Sequence, residues 1–250
     1  MPIFSLEGRV AMVTGCNKGL GQAMAVALAE AGANIVGVSR RGSDETRQRV
    51  ESLGRRYSSI EAELGKDRPA DIVERAITEA GQIDILVNNA GMIRRAPALE
   101  FSEDDWDSVI DVNLKAAFFL AQHAARHMIE RGTGGKIIHV ASMLSFQGGI
   151  RVPSYTASKS GILGLTRLMA NEWASQGVNV NAIAPGYMAT DNTQALRDDP
   201  ERSAEILGRI PAGRWGNPDD LAGAVVFLAS PASDYVHGHT LAVDGGWLAR

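Results

Sequence analysis

The sequence predicts an α/β protein of the Rossmann type: one domain over residues 1–250, built on a doubly wound parallel sheet with helices on both faces. Three observations carry this. Short apolar runs alternate with longer amphipathic stretches along the whole chain, the pattern of repeated strand–helix units. The apolar runs lack polar/apolar alternation, as strands buried on both faces do. The first run opens onto a glycine-rich turn followed by an Ala-rich stretch, the order of a dinucleotide-binding strand–loop–helix.

The elements follow in order. Residues 10–14 read as a buried strand and 19–31 as a helix ended by Gly32. A second strand is expected over 34–39, a helix over 45–53, a third strand over 60–63 and a helix over 69–80. The run 83–88, between Gly81 and Gly91, is a strand, and 103–130 is one long helix with room for a kink. A strand over 136–142, a long helix over 155–176 and a strand over 178–184 closed by Pro185-Gly186 come next. A helix over 218–229 and a short strand over 240–243 complete the chain. There is no repeat, low-complexity tract or linker.

Composition narrows the function classes. Hydrophobic residues make up 45% and charged residues 22%, which supports a full core and excludes a disordered chain. The formal net charge of −4 argues against nucleic acid as a partner and requires a local basic pocket for any acidic substrate. Cys16 is the single cysteine, so no intrachain disulfide forms, which suits a reducing compartment. The first thirteen residues contain Glu7 and Arg9 and no long apolar core, unlike a leader or a membrane span. The cytoplasm is the expected location, with no membrane partner.

The turn after the first strand reads Thr14-Gly15-Cys16-Asn17-Lys18-Gly19-Leu20-Gly21. Glycines at 15, 19 and 21 allow a tight turn and close approach of a pyrophosphate, and the next helix offers its N-terminal N–H groups to that anion. The second strand ends in Ser39-Arg40-Arg41. A carboxylate there would favour NAD; two arginines offer charge-assisted donors to a 2′-phosphate and lean toward NADP.

Tyr155 and Lys159 stand at i and i+4 on an expected helix, one turn apart on one face. A phenol titrates near 10 and is a poor base at neutral pH. An ammonium about 4 Å away, at an effective dielectric near 20, contributes roughly 4 kcal/mol. That is about three pKa units, enough to bring a phenol toward neutrality and into proton transfer. Ser142 closes the preceding strand, at the sheet edge where ligands of such folds gather.

These motifs, taken together, resemble the short-chain dehydrogenase/reductase family over nearly the whole chain. Thr14–Gly21 is similar to its glycine loop, Asn88-Asn89-Ala90-Gly91 to its N-N-A-G segment, and Asn113 to its helix asparagine. Ser142, Tyr155 and Lys159 match its catalytic serine and Y-x-x-x-K, and Pro185-Gly186 its P-G turn. The resemblance implies Tyr155 as acid/base, Ser142 orienting the carbonyl, Lys159 on the ribose and tuning Tyr155, and Asn113 holding a proton-relay water. It implies coenzyme contacts from Gly15, Asn17, Gly19, Leu20 and Gly21, from Ser39, Arg40 and Arg41, and from Glu63 and Leu64. It extends these to Asn89, Ala90 and Gly91, to Tyr155 and Lys159, and to Pro185, Gly186, Met188 and Thr190. Glu63 stands where the family more often has an aspartate. No metal is implied, and a homotetramer is.

A narrower resemblance is to members that act on deoxy-gluconate-type sugar acids. It rests on the segments 89–95, 141–155, 184–190 and 242–250. Those members are NAD-linked, from which Ser39-Arg40-Arg41 departs, so NAD and NADP both stay open. Arg94 and Arg151 are the first candidates for a substrate carboxylate, Arg95 and Arg214 weaker ones, and Gln147 for a sugar hydroxyl. The polar segment 188–210 is expected to be a mobile lid. Alternative readings are reduction of gluconate or of carrier-linked acyl ketones, and, remotely, a non-enzymatic nucleotide-binding scaffold.

Overall fold

The computed structural model describes residues 2–250. At its centre β1 (Val10–Thr14), buried throughout, lies between β2 (Asn34–Ser39) and β4 (Ile85–Asn88). Outside β2 runs β3 (Tyr57–Glu61); beyond β4 follow β5 (Gly135–Val140), β6 (Val178–Pro185) and β7 (Thr240–Val243). All neighbours are parallel, in the order β3-β2-β1-β4-β5-β6-β7. The winding reverses between β1 and β4, which opens a crevice at the carboxyl edge of the sheet.

Successive β1 residues feed the two faces. Ala11 and Val13 pack with Met24 and Leu28 of α1 (Gly19–Glu30) and Val225 and Leu228 of α9 (Ala222–Ala229). Val10 and Met12 pack with Ile72 of α3 (Pro69–Ala80), Leu120 of α5 (Ala117–Glu130) and Met169 of α6 (Pro153–Trp173). Each such fully buried side chain contributes about 1.5–3 kcal/mol. Local chemistry sets the helix ends. Pro69 opens α3, and Gly81, left-handed at φ 80, closes it. The Ser102 hydroxyl accepts from Asp105 N at 3.1 Å to cap α4 (Glu103–Ile110), whose first turn holds Glu103, Asp104 and Asp105.

Two expectations need correction. The third strand begins at Tyr57, not residue 60, because Tyr57 is already in register with Ile35 of β2. The helix expected over 103–130 is α4 and α5 joined by a π-helical turn over Asp111–Ala116, so the kink is one extra residue per turn rather than a break. Segment 188–210 is folded. It forms α7 (Gln194–Arg197) and α8 (Pro200–Arg209), and Ile206 and Ile210 are buried against Met143 and Trp247.

His139, fully buried on β5, is pushed down to about 4, first by burial and then by the Lys159 charge. The unfolded chain titrates it near 6.5. Between those values the unfolded chain holds a proton that the folded chain refuses, so stability falls as pH falls from about 6.5 to about 4. At pH 5 the expected loss from this group is about 2 kcal/mol relative to pH 7. Urea midpoints of the wild type and His139→Gln at both pH values check it; equal pH dependence in the two would refute it.

Candidate active site

The glycine loop closes on itself tightly. Gly15 and Gly19 have left-handed φ of 66 and 57, and a Cβ on Gly21 would lie 2.2 Å from the Gly15 carbonyl oxygen. No side chain caps the amino end of α1, so its N–H groups face the crevice uncapped, as pyrophosphate binding requires. The residues present therefore fit a dinucleotide. Leu20 and Leu64 place their side chains against the core clusters, which leaves only their backbones to face a coenzyme. Asn17 and Thr190 are partly buried beside the crevice, and Glu63 is paired with Lys66 at 3.1 Å.

The N-N-A-G segment braces the glycine loop. Asn89 Nδ2 donates to the Thr14 and Gly15 carbonyls at 2.9 and 3.2 Å. The Asn89 and Ala90 amides donate to Thr14 Oγ1, both at 3.0 Å. These residues hold the glycine loop to the end of β4. Asn88 Nδ2 donates to the Ala117 carbonyl at 2.9 Å, tying the same strand end to α5.

At the ribose end, Ser39 is buried and its hydroxyl donates to the Arg41 carbonyl, which shapes the turn. Arg40 and Arg41 are exposed, and neither makes a side-chain ion pair among the described residues. A feature the sequence did not announce fixes this turn. Tyr57 crosses β2 at Gly37, where a Cβ would fall 1.9 Å from the phenol oxygen. That phenol meets Cys16 Sγ at 3.3 Å and Ser43 Oγ at 2.5 Å, joining the glycine loop to the arginine turn. Burial pushes the Cys16 thiol up, consistent with a packed rather than a reactive cysteine.

Tyr155 and Lys159 project from α6 toward the end of β5, with Lys159 Nζ 5.6 Å from the phenol ring centre. Lys159 is buried and donates to the Val140 carbonyl at 2.6 Å. Burial lowers it to about 8, so it is charged at neutral pH. The expected effect on Tyr155 needs correction: burial is the largest influence and raises the phenol, while the Ser142 hydroxyl and then Arg95 pull it down. Lys159 is directed to the Val140 carbonyl rather than the phenol oxygen. Ser142 is itself pinned: its hydroxyl accepts from Leu144 N at 3.2 Å, its amide donates to Ser145 Oγ at 3.2 Å, and Ser145 Oγ donates to the Lys159 carbonyl at 2.7 Å.

Asn113 sits in the π-helical turn, buried. Its Nδ2 donates to the Met92 carbonyl at 2.9 Å and to Ser158 Oγ at 3.2 Å, and its Oδ1 accepts from Met92 N at 2.8 Å. The side chain is thus occupied by the loop after β4. Gly91 lies against it: a Cβ there would be 3.3 Å from Asn113 Oδ1. Pro185-Gly186 turns tightly, the Gly186 amide donating to the Val243 carbonyl at 2.9 Å. A Gly186 Cβ would meet Asp244 Cα at 2.5 Å. Met188 is buried against Gly216, so its side chain serves the core.

The substrate-side expectations are largely rearranged. Arg94 Nε pairs with Asp105 Oδ1 at 3.1 Å. Arg214 is held by both Asp220 oxygens at 2.7 and 2.8 Å, which brings that carboxyl down to about 2. Gln147 Oε1 accepts from Trp247 Nε1 at 3.2 Å. Arg151 is exposed and left-handed at φ 62. Arg95 donates to the Asn192 carbonyl at 3.1 Å, and Lys18 of the glycine loop pairs with Asp191 at 2.5 Å. The 188–210 segment is therefore tied to both sides of the crevice.

Comparison with known proteins agrees with this geometry. A family model described as enoyl-(acyl carrier protein) reductase matches residues 15–248. The 2-dehydro-3-deoxy-D-gluconate 5-dehydrogenase of Escherichia coli strain K12 is 66% identical over 99% of this chain and 98% of that protein. The Bacillus subtilis strain 168 protein of the same name is 56% identical over 99% and 97%. An Agrobacterium tumefaciens crystal structure with bound NADP, provisionally named 2-deoxy-D-gluconate 3-dehydrogenase, superposes with a TM-score of 0.95 at 58% identity, covering both chains completely. A Burkholderia cenocepacia J2315 gluconate 5-dehydrogenase in complex with NADP and tartrate gives 0.94 at 41%, over 100% of this chain and 98% of that one. With relatives this similar along its whole length, the chain belongs to the short-chain dehydrogenase/reductase family and is an NAD(P)-dependent oxidoreductase.

Proposed function

We propose that this protein interconverts a secondary alcohol and a ketone on a deoxy-gluconate-type sugar acid, as a 2-dehydro-3-deoxy-D-gluconate 5-dehydrogenase. The observation that carries the reading is 66% identity to the enzyme of that name along 99% of the chain. Gluconate enzymes stand further off, with the Gluconobacter oxydans strain 621H gluconate 5-dehydrogenase at 42%. NAD(P), when bound, supplies the hydride acceptor or donor. Gly15, Gly19, Gly21 and the α1 amino end would hold its pyrophosphate, and Lys159 its ribose. Tyr155 passes a proton to or from the substrate oxygen, and Ser142 orients that oxygen. The half-buried phenol stays protonated at neutral pH, which suits delivery of a proton to a ketone; Ser142 and Arg95 ease its loss in the reverse direction. Segment 188–210 covers the substrate.

Initial rates with NAD and NADP against 2-dehydro-3-deoxygluconate, gluconate and a carrier-bound acyl ketone test the substrate. The keto-deoxy acid should give the highest kcat/KM; faster turnover of the carrier-bound ketone would overturn the reading. We assign NADP as the preferred coenzyme, supported by the exposed Arg40 and Arg41 and by NADP in the Agrobacterium and Burkholderia structures. Arg40→Asp is expected to shift the NADP/NAD ratio of kcat/KM by roughly tenfold or more toward NAD, the worth of one charge-assisted contact. An unchanged ratio would remove Arg40 from phosphate recognition.

The proposal includes a cytoplasmic location, supported by the single, buried cysteine. Among the described residues no helix is long and apolar enough to cross a membrane. It also includes a homotetramer, supported by exposed Trp106, Phe119 and Leu168 on α4, α5 and α6. Light scattering giving a monomer would contradict that assembly.

A further inference from the structure

A dinucleotide that touches two loops requires them to keep a fixed spacing. The glycine loop would hold the pyrophosphate, and the turn Arg40-Arg41-Gly42-Ser43 after β2 would hold the 2′-phosphate. The two loops are braced unequally. The Gly15 amide donates to the Val38 carbonyl at 2.7 Å, and Asn89 Nδ2 donates to the Thr14 and Gly15 carbonyls. Thr46 Oγ1 of α2 (Asp44–Ser52) donates to the Cys16 carbonyl at 2.7 Å and accepts from Gln22 Nε2 at 3.0 Å. The glycine loop is thus tied to β2, to the end of β4 and to α2.

The arginine turn has far less. Arg40, Arg41 and Gly42 are exposed. Among the described residues two serine hydroxyls steady it. Ser39 Oγ donates to the Arg41 carbonyl, within the turn itself. Ser43 Oγ meets the Tyr57 phenol at 2.5 Å, and this bond alone reaches an anchor outside the turn. Ser43 stands at the N-cap of α2, where a serine ordinarily accepts from the first amides of the helix. It makes no such bond here; the cap is given up for the phenol. Both residues are buried. On its other side the phenol meets Cys16 Sγ of the glycine loop at 3.3 Å. Burial pushes the phenol up, so it serves as a neutral hydroxyl, donor to one loop and acceptor from the other.

We propose, resting on the NADP reading above, that Tyr57 is a positioning residue for coenzyme choice: its hydroxyl fixes the arginine turn against the glycine loop at the spacing a 2′-phosphorylated dinucleotide requires. Loss of that hydroxyl frees the less braced partner. The glycine loop keeps Val38, Asn89 and Thr46, whereas the turn keeps only the bond from Ser39 to Arg41. The penalty therefore falls on the 2′-phosphate, which NAD lacks.

Tyr57→Phe removes the hydroxyl alone. The ring stays packed in the core, with the Arg47 guanidinium 5.7 Å from its centre. Titration of coenzyme-free protein with NADPH and with NADH, followed by nicotinamide fluorescence, reads both affinities without turnover. Tyr57→Phe should raise the Kd for NADPH by about fivefold to tenfold, the worth of one buried hydrogen bond. The Kd for NADH and kcat at saturating coenzyme should be unchanged. Ser43→Ala should reproduce this, and the double variant should be no worse than either single one, since all three remove the same bond. Ser43→Ala carries the test alone if Tyr57→Phe does not fold. Equal weakening of NADPH and NADH, or no change in either, would overturn the proposal. If Arg40→Asp shifts the coenzyme ratio while Tyr57→Phe and Ser43→Ala do not, the NADP reading stands and the role of Tyr57 falls. If the wild type binds NADH as tightly as NADPH, the NADP reading fails and the role of Tyr57 fails with it.

Discussion

Tyr155→Phe is expected to lower kcat by two to four orders of magnitude, roughly 10²–10⁴-fold, the range for loss of a positioned general acid or base. Coenzyme affinity and folding should change little. The substitution removes one oxygen from a half-buried ring whose carbon atoms stay in place, and its hydroxyl donates to no backbone group that would be left unsatisfied. Nothing else nearby can take over. Lys159 Nζ is directed to the Val140 carbonyl at 2.6 Å. Ser142 is fixed by Leu144 and Ser145 and has a serine's unreactive hydroxyl. His139 is fully buried, faces Asn88 and is neutral down to about 4. Steady-state rates with a coenzyme titration by fluorescence read both quantities.

The second large effect is expected for Gly21→Ala. A Cβ there would sit 2.2 Å from the Gly15 carbonyl oxygen and 2.4 Å from Asn89 Nδ2. Neither neighbour can yield cheaply. Gly15 is backbone in a left-handed turn, and Asn89 Nδ2 holds the Thr14 and Gly15 carbonyls. Forcing them apart opens the glycine loop and releases the clamp from β4. Overpacking of this kind costs about 1–3 kcal/mol of stability, a few degrees in Tm for a chain of this size. Coenzyme KM should rise by more than about tenfold, because the amides that would receive the pyrophosphate move with the loop. Thermal melts with coenzyme titration check it; a variant with wild-type coenzyme KM would contradict the cradle.

The strands and their parallel, doubly wound sheet were legible because their signals are local. Apolar runs such as 10–14 and 83–88 have no alternative to burial on both faces, and the glycines at 15, 19 and 21 have few uses besides a tight turn. The chemistry-bearing pair was legible for the same reason: i and i+4 on a helix fix Tyr155 and Lys159 on one side. What stayed hidden was partnership across the chain. That Asn89 clamps a loop seventy-four residues earlier, that Arg94 answers Asp105 and that Gln147 answers Trp247 depend on tertiary placement, which no spacing encodes. The start of β3 was missed because Tyr57-Ser58-Ser59 carries little apolar signal; its strand state comes from pairing with β2 and from the gap at Gly37. The tuning of Tyr155 was misjudged for a physical reason. The Coulomb argument assumed an ammonium at the phenol oxygen and ignored desolvation, and burial proved the larger influence.

The account rests on proton transfer at Tyr155, and one experiment isolates that step. Wild type and Tyr155→Phe, each preloaded with saturating reduced coenzyme, are mixed with excess 2-dehydro-3-deoxygluconate, and the loss of nicotinamide absorbance is followed through one turnover. The prediction is equal amplitude with a rate constant lower by at least about 100-fold in the variant. A variant that turns over its bound coenzyme at the wild-type rate would contradict the central claim.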